Sequence, residues 1–289
     1  MRDMKKIIAM LLVLLLTLSC FAACGSAPTA DQADDTNVEA TSDTQADNAQ
    51  TSDDEDSDLA FVQSNGKLVV GITDYAPMDY KDDNGEWTGF DAEFARLFAE
   101  ELGVECEFFV LADWGKKIFE LDSKNIDCVW NGMTITEEIL NTSSVSDPYV
   151  VNAQVVVMKA DAVANYADIE SMKDLTFAVE SGSAGEAALN EAGLTKYVAV
   201  QDQGSAVMEV AAGTSDACVI DITMANAMTG EGTSYADLTY NVRLTEEEYG
   251  VSFRKGSDLT AKFNEFMASL KADGTLQALA EKYALTLAE

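Results

Sequence analysis

The sequence predicts an α/β protein of two lobes, joined by two crossovers, with a cleft between them. Three observations carry that expectation. From residue 67 onward, short apolar runs alternate with helical patterns, the grammar of mostly parallel sheets. The alternation pauses at a long β-rich run near residue 155 and then restarts. Two further helices follow the second half, and a finished second lobe has no room for them. The economical solution returns the chain to the first lobe, giving two crossovers.

In order, "KLVVGIT" reads as a strand, and "DYKDDNGEWTGF" holds the hairpin signal Asn84-Gly85. Asp91 is expected to cap a helix whose apolar face is Phe94, Leu97, Phe98 and Leu102 and whose end is Gly103. "VECEFFVL" is a strand, "WGKKIFELDS" a helix and "IDCVWNG" a strand in which Trp130 faces either core or cleft. After the run "AQVVVMK", "LTFAVE", "YVAVQ" and "DACVID" read as strands, alternating with helices in "SGSAGEAALNEAG" and "GSAVMEVAAGT". "YGVSFRK" follows, then helices over 259–272 and 276–283, with Gly274 between. The expected divisions are a first part of lobe one at 59–152, lobe two at 153–248 and a return to lobe one at 249–289.

Residues 1–24 read as an address. A basic start precedes "IIAMLLVLLLTLSCFAAC", too short for a comfortable membrane span and ending in small residues before Cys24. This is the pattern of a lipoprotein signal peptide, with Cys24 as the lipidated residue and Cys20 as a weaker rival. Residues 25–58 hold eleven acids and no lysine or arginine. Such a segment buries too little apolar surface to repay its ordering entropy, so it reads as a disordered acidic stalk.

Composition excludes several chemistries. The chain has no histidine, which removes His-based catalysis and His-based zinc sites. A formal charge of −33 argues against nucleic acid as partner. Cys106, Cys128 and Cys218 sit in apolar runs without CxxC spacing and read as buried thiols. No metal and no cofactor are expected.

In open parallel sheets, ligands bind beyond the carboxyl ends of strands. Those ends are Asp74-Tyr75, Asp113-Trp114, Asn131 to Thr136, Glu180 to Gly185, and Asp221. An acid ending an apolar strand, as Asp221 does, is costly to bury unless paired. It reads either as a ligand contact or as the cap of "ITMANAM". Helix starts at "SGSAGEAAL" and "TITEE", the latter with Thr134 and Glu137 at capping-box spacing, offer amides to an anion.

The stretches "KLVVGITDYAPMDYKDDNGEWTGFDAEFA", "NGMTIT…SDPY", "DACVID", "EYGVSFRKG" and "LKADGTLQALAEKY", in that order over about 67–285, resemble the polar amino-acid (family 3) solute-binding proteins of bacterial ABC importers. The resemblance implies a two-lobed periplasmic-binding-protein-like fold of type II, with two hinge strands and a central ligand cleft, that closes around one amino acid. It implies delivery to a membrane permease and its ATPase, with the protein held on the outer face of the membrane by its lipid. A monomer without enzymatic activity is expected. It also implies that Tyr75 and Trp114 wall the ligand side chain. Gly132 and Thr134 would contact its amino and carboxyl groups, Ser183 and Ala184 its carboxylate, and Asp221 its ammonium.

Two departures stand out. Ile139 replaces the usual carboxylate-binding arginine, and Ala184 a frequent threonine. No lysine or arginine matches a pocket position, and Arg243 is the one candidate substitute. The expected ligand is therefore a neutral polar or cationic amino acid, its acid held by amides and hydroxyls. A non-amino-acid amine, or a cyclohexadienyl-dehydratase-like enzyme with Glu180 as its acid, are the alternatives.

Overall fold

The computed structural model describes residues 57–289. The leader, Cys24 and the segment up to residue 56 lie outside the described residues. Two five-stranded sheets form the cores of two lobes. In the first, the order is Glu105–Val110, Lys67–Ile72, Cys128–Val129, Ser252–Phe253, Ser144–Val145. The first three are parallel, with Lys67 opposite Glu105 and Ile72 opposite Val110. Ser252–Phe253 enters antiparallel between its neighbours, and this is where the chain returns to lobe one.

The second sheet runs Tyr197–Val200, Phe177–Glu180, Ala217–Asp221, Gln154–Lys159, Leu238–Arg243. Its first three strands are parallel and its last two antiparallel. The β-rich run "AQVVVMK" thus belongs to the second lobe. The crossing strands flank the two β-rich runs: Val150–Asn152 leads out, Glu247–Tyr249, ending on the first residue of "YGVSFRK", leads back, and the two pair antiparallel. Among the described residues no helix is long and apolar enough to cross a membrane.

The helix Phe90–Leu102 shows how the sequence builds a lobe. Phe90, Phe94, Phe98 and Leu102 recur every four residues and are all buried. Gly103 closes it in the left-handed region, its N–H donating to Ala99 and Glu100. Asp91 is not its cap, contrary to expectation. Gly89 holds that position at φ +119, because a Cβ there would lie 2.2 Å from the Met78 carbonyl oxygen. Asp91 sits in the first turn with its carboxylate turned inward.

Trp130 resolves to the core. Its ring centroid lies 4.9 Å from those of both Phe94 and Phe263, edge to face. Phe263 comes from the returning helix Leu259–Asp273, which Gly274 separates from Thr275–Lys282. The hairpin around Asn84-Gly85 forms between Tyr80–Lys81 and Trp87–Thr88. It is wider than a two-residue turn, because Asp82 accepts from the N–H groups of Asn84 and Glu86 and holds the loop open. Asp58, assigned by composition to the stalk, begins the helix Asp58–Asn65. Its carboxylate is buried against Arg254 at 2.8 Å, and Arg254 also reaches Asp127 at 3.2 Å. The three thiols are free, with Cys128 and Cys218 buried and Cys106 half-buried.

Candidate functional site

A cavity of about 550 Å³ opens between the lobes. Tyr75, Trp114, Asn131, Gly132, Thr134, Ser183, Ala184 and Asp221 all line it, together with Asp74, Ile139 and Glu180. The ends of parallel strands from both sheets meet there, as the strand-end argument requires.

On the first wall, Tyr75 is buried, and its hydroxyl lies 2.6 Å from that of Thr223 and 2.5 Å from that of Tyr249. Thr223 belongs to lobe two and Tyr249 to a hinge strand, so this hydroxyl triangle ties three parts of the molecule. Gly132 is required here. It has φ +54, and a Cβ would stand 2.6 Å from Cε1 of Tyr75. Its N–H donates to Asp91 at 2.6 Å, and the Tyr149 hydroxyl donates to the same oxygen. Burial raises the Asp91 carboxyl to about 7 and the neighbouring Asp79 carboxyl well above the usual range.

The side chain of Asn131 is spent behind the wall. It accepts from the backbone and hydroxyl of Thr73 and donates to Asp79 at 2.7 Å. Thr134 likewise donates its hydroxyl proton to Glu247 at 2.8 Å, so that proton is not free for a carboxylate. The expected capping box at Thr134 and Glu137 does not form. Thr136 caps the helix Glu137–Thr142 instead, accepting from Ile139.

On the opposite wall, Ser183 caps the helix Ala184–Glu191 through the N–H of Glu186. The amides of Ala184 and Gly185, in the first turn, are left without intrahelical partners. Asp221 stands before the helix Ile222–Met228 but its side chain makes no capping bond, which removes the cap reading. Three side-chain amides hold its carboxylate instead. Asn152 and Gln154 donate to one oxygen, the latter at 2.7 Å, and Gln203 donates to the other. Burial, then the nearby Glu247, push its carboxyl up to about 7. Burial and the charge of Asp221 raise Glu180 to about 8. No cation lies against Asp221 among the described residues.

Sequence reasoning missed several of these residues. Asn152 and Gln154 are polar interruptions, two apart, in an otherwise apolar β-rich stretch; that period puts both on one face and was the available signal. Lys117 is the larger omission and a correction. It lines the cleft, nearly buried, with its ammonium 4.6 Å above the Trp114 ring. A lysine three residues beyond Trp114 at a helix start turns back over that ring. Arg243, the expected substitute, lines a different cavity beside Val151 and Ile222. It takes no part in the cleft.

A family model for bacterial extracellular solute-binding proteins, family 3, matches residues 68–286. The L-cystine-binding protein TcyJ of Escherichia coli (strain K12) is 31% identical over 229 residues, 78% of this chain and 85% of that one. Among solved structures, a mutant of ArgBP from T. maritima is similar at 32% identity and TM-score 0.73, covering 78% of this chain and 98% of its own. The ancestral amino acid-binding protein AncCDT-1, a precursor of cyclohexadienyl dehydratase, is similar at 33% identity and TM-score 0.72, covering 78% and 99%. The matched stretch begins within the first strand and ends beyond the last helix. It therefore takes in both lobes and both hinge strands, and this chain belongs to the bacterial extracellular solute-binding proteins, family 3.

Proposed function

We propose that the protein captures a zwitterionic amino acid with a neutral polar or cationic side chain and passes it to the permease of an ABC importer, whose ATPase drives uptake. It acts as a binding protein, not an enzyme, held on the outer face of a bacterial membrane by lipid at Cys24. The observation that carries the reading is Asp221, a buried acid on the cleft wall that meets three neutral amides and, among the described residues, no cation. A buried acid left so is costly unless a cation arrives, and an α-ammonium is that cation.

Charge selects among amino acids. Six acidic side chains line the cleft (Asp74, Glu137, Glu138, Glu180, Glu186 and Asp221), and with Glu180 raised to about 8 and Asp221 to about 7 the other four still outnumber Lys117, the one lysine among the described lining residues. A second ligand carboxylate would enter a field of its own sign. The Trp114 face already carries the Lys117 ammonium, so a cationic side chain would draw its aromatic attraction, about 0.5–2 kcal/mol, from Tyr75. The name of one similar protein specifies arginine, a cationic member of that class; another specifies L-cystine, whose two carboxylates are each matched by an ammonium. AncCDT-1, for all its link to a dehydratase, is itself described as amino acid-binding.

The test is a thermal-shift screen of the twenty amino acids with polyamines and choline-like amines added. Stabilisation by neutral polar or basic amino acids is expected. Stabilisation by glutamate or aspartate alone would overturn the charge argument, and by carboxylate-free amines alone the amino-acid class. For the tether, Cys24→Ser should release the protein from the membrane fraction; retention, with release by Cys20→Ser, would move the lipid to Cys20.

A further inference from the structure

Resting on the amino-acid reading above, we propose that Lys117 grips the ligand's carboxylate from the first lobe, while the amide of Ala184 grips it from the second. Position 139 supplies no cation, since Ile139 presents only an aliphatic side chain to the same cavity.

Lys117 is built as an unfinished ion pair. It opens the helix Lys117–Asp122 and is 8% exposed. Its ammonium has three protons to donate. Two go to the carbonyl oxygens of Trp114 and Gly182, both at 3.3 Å, longer than a good N–H···O bond. No carboxylate of the described residues pairs with it. Burial lowers its ionisation to about 8, against the opposing pull of Glu180, Glu138 and Asp113. An ammonium so placed is desolvated without a counter-ion, which is the state a carboxylate relieves.

The place is also right. The carbonyl of Gly182 that Lys117 touches immediately precedes Ser183, the cap of the helix whose first amides are free. A carboxylate at that helix start meets the positive end of the helix and the ammonium together. The lobes already touch here: Gly182 has φ +71, and a Cβ on it would lie 2.7 Å from the Gly115 Cα. Glu180 lies close enough to both Lys117 and Asp221 to feel each charge. Lys117, Glu180 and Asp221 line one cleft, so the two ends of a small zwitterion can be served within it. Because one half of the grip is in each lobe, a bound carboxylate rewards closure, which neither half achieves alone.

The experiment uses calorimetry with whichever of the twenty L-amino acids stabilises the protein most, and its α-carboxamide. The wild type should prefer the acid to the carboxamide about 10- to 100-fold, as a charge-assisted bond predicts. Lys117→Met should weaken the acid by a similar factor and leave the carboxamide within about threefold, while Lys117→Arg restores part of the preference. Lys117→Gln, which keeps a donor, serves if the methionine variant is unstable. Unchanged affinity for the acid in folded Met or Gln variants would overturn this assignment and leave the amino-acid reading standing. A wild type that binds no amino acid at all would sink both.

Discussion

Asp221→Asn separates the cost of the buried carboxyl from its use. In the folded protein the carboxyl is raised from 3.8 to about 7, chiefly by burial. It binds its proton more tightly when folded, so it costs nothing where both states are protonated, below about pH 4. The cost grows as pH rises and is complete just above pH 7, where it reaches about 4 kcal/mol. Between pH 5 and pH 8 the change is about 2–3 kcal/mol. Asparagine imitates the neutral form. Its new N–H donors find acceptors, because the side-chain oxygens of Asn152 and Gln154 have no partner and either amide can turn. The assay is urea unfolding of ligand-free protein at pH 5 and pH 8. The stability advantage of Asp221→Asn over the wild type should be about 2–3 kcal/mol larger at pH 8, while affinity for the amino acid falls about 10- to 100-fold. Equal pH slopes in the two proteins would refute the reasoning.

Other substitutions probe the frame. Gly132→Ala forces a side chain into φ +54 and onto the Tyr75 ring, and should cost at least 2 kcal/mol in urea unfolding; a loss under 0.5 would mean that Tyr75 moves freely. Arg254→Met strands the buried carboxylates of Asp58 and Asp127 and should cost about 3–5 kcal/mol, read by the same method, with a loss below 1 counting against the pairing. Gly182→Ala should cost about 1–2 kcal/mol of ligand-free stability through its φ of +71 and also weaken ligand binding at least tenfold, since it props the lobes apart at Gly115; unchanged affinity in calorimetry would show that closure needs no such contact.

The fold was legible because its signals are local and repeated. The four-residue recurrence from Phe90 to Leu102 and the strand–helix alternation survive any tertiary context. The cleft was legible through strand ends, which is why Tyr75, Trp114, Gly132, Ser183 and Asp221 could be singled out. What failed were assignments in which one side chain had two local options. Asp91 has the right spacing for a cap, but a distant amide, that of Gly132, claims it. Thr134 and Glu137 have capping-box spacing, yet Thr136 is nearer the helix and Glu247, over a hundred residues away, takes the Thr134 proton. Lys117 was invisible to family comparison because comparison asks what stands at the usual position. It arrives from another helix.

Lobe one is assembled from both ends of the folded chain, and this constrains the order of folding during synthesis. Strand Ser252–Phe253 fills the gap between Cys128–Val129 and Ser144–Val145, and Phe263 completes the cluster around Trp130. Ser57 and Leu59 both bond to Asp258, some two hundred residues later. Lobe two closes within one continuous stretch and is free to fold as soon as residue 243 has emerged. The first-made lobe must wait, with Phe94, Phe98 and Trp130 still lacking their partner and a strand edge unpaired, until about the last thirty residues are added. Non-local closure of this kind is slow and leaves the intermediate sticky. The ribosome thus finishes the ligand's second wall before its first, and a chain stopped short of Phe263 would hold a folded second lobe beside an aggregation-prone half of the first.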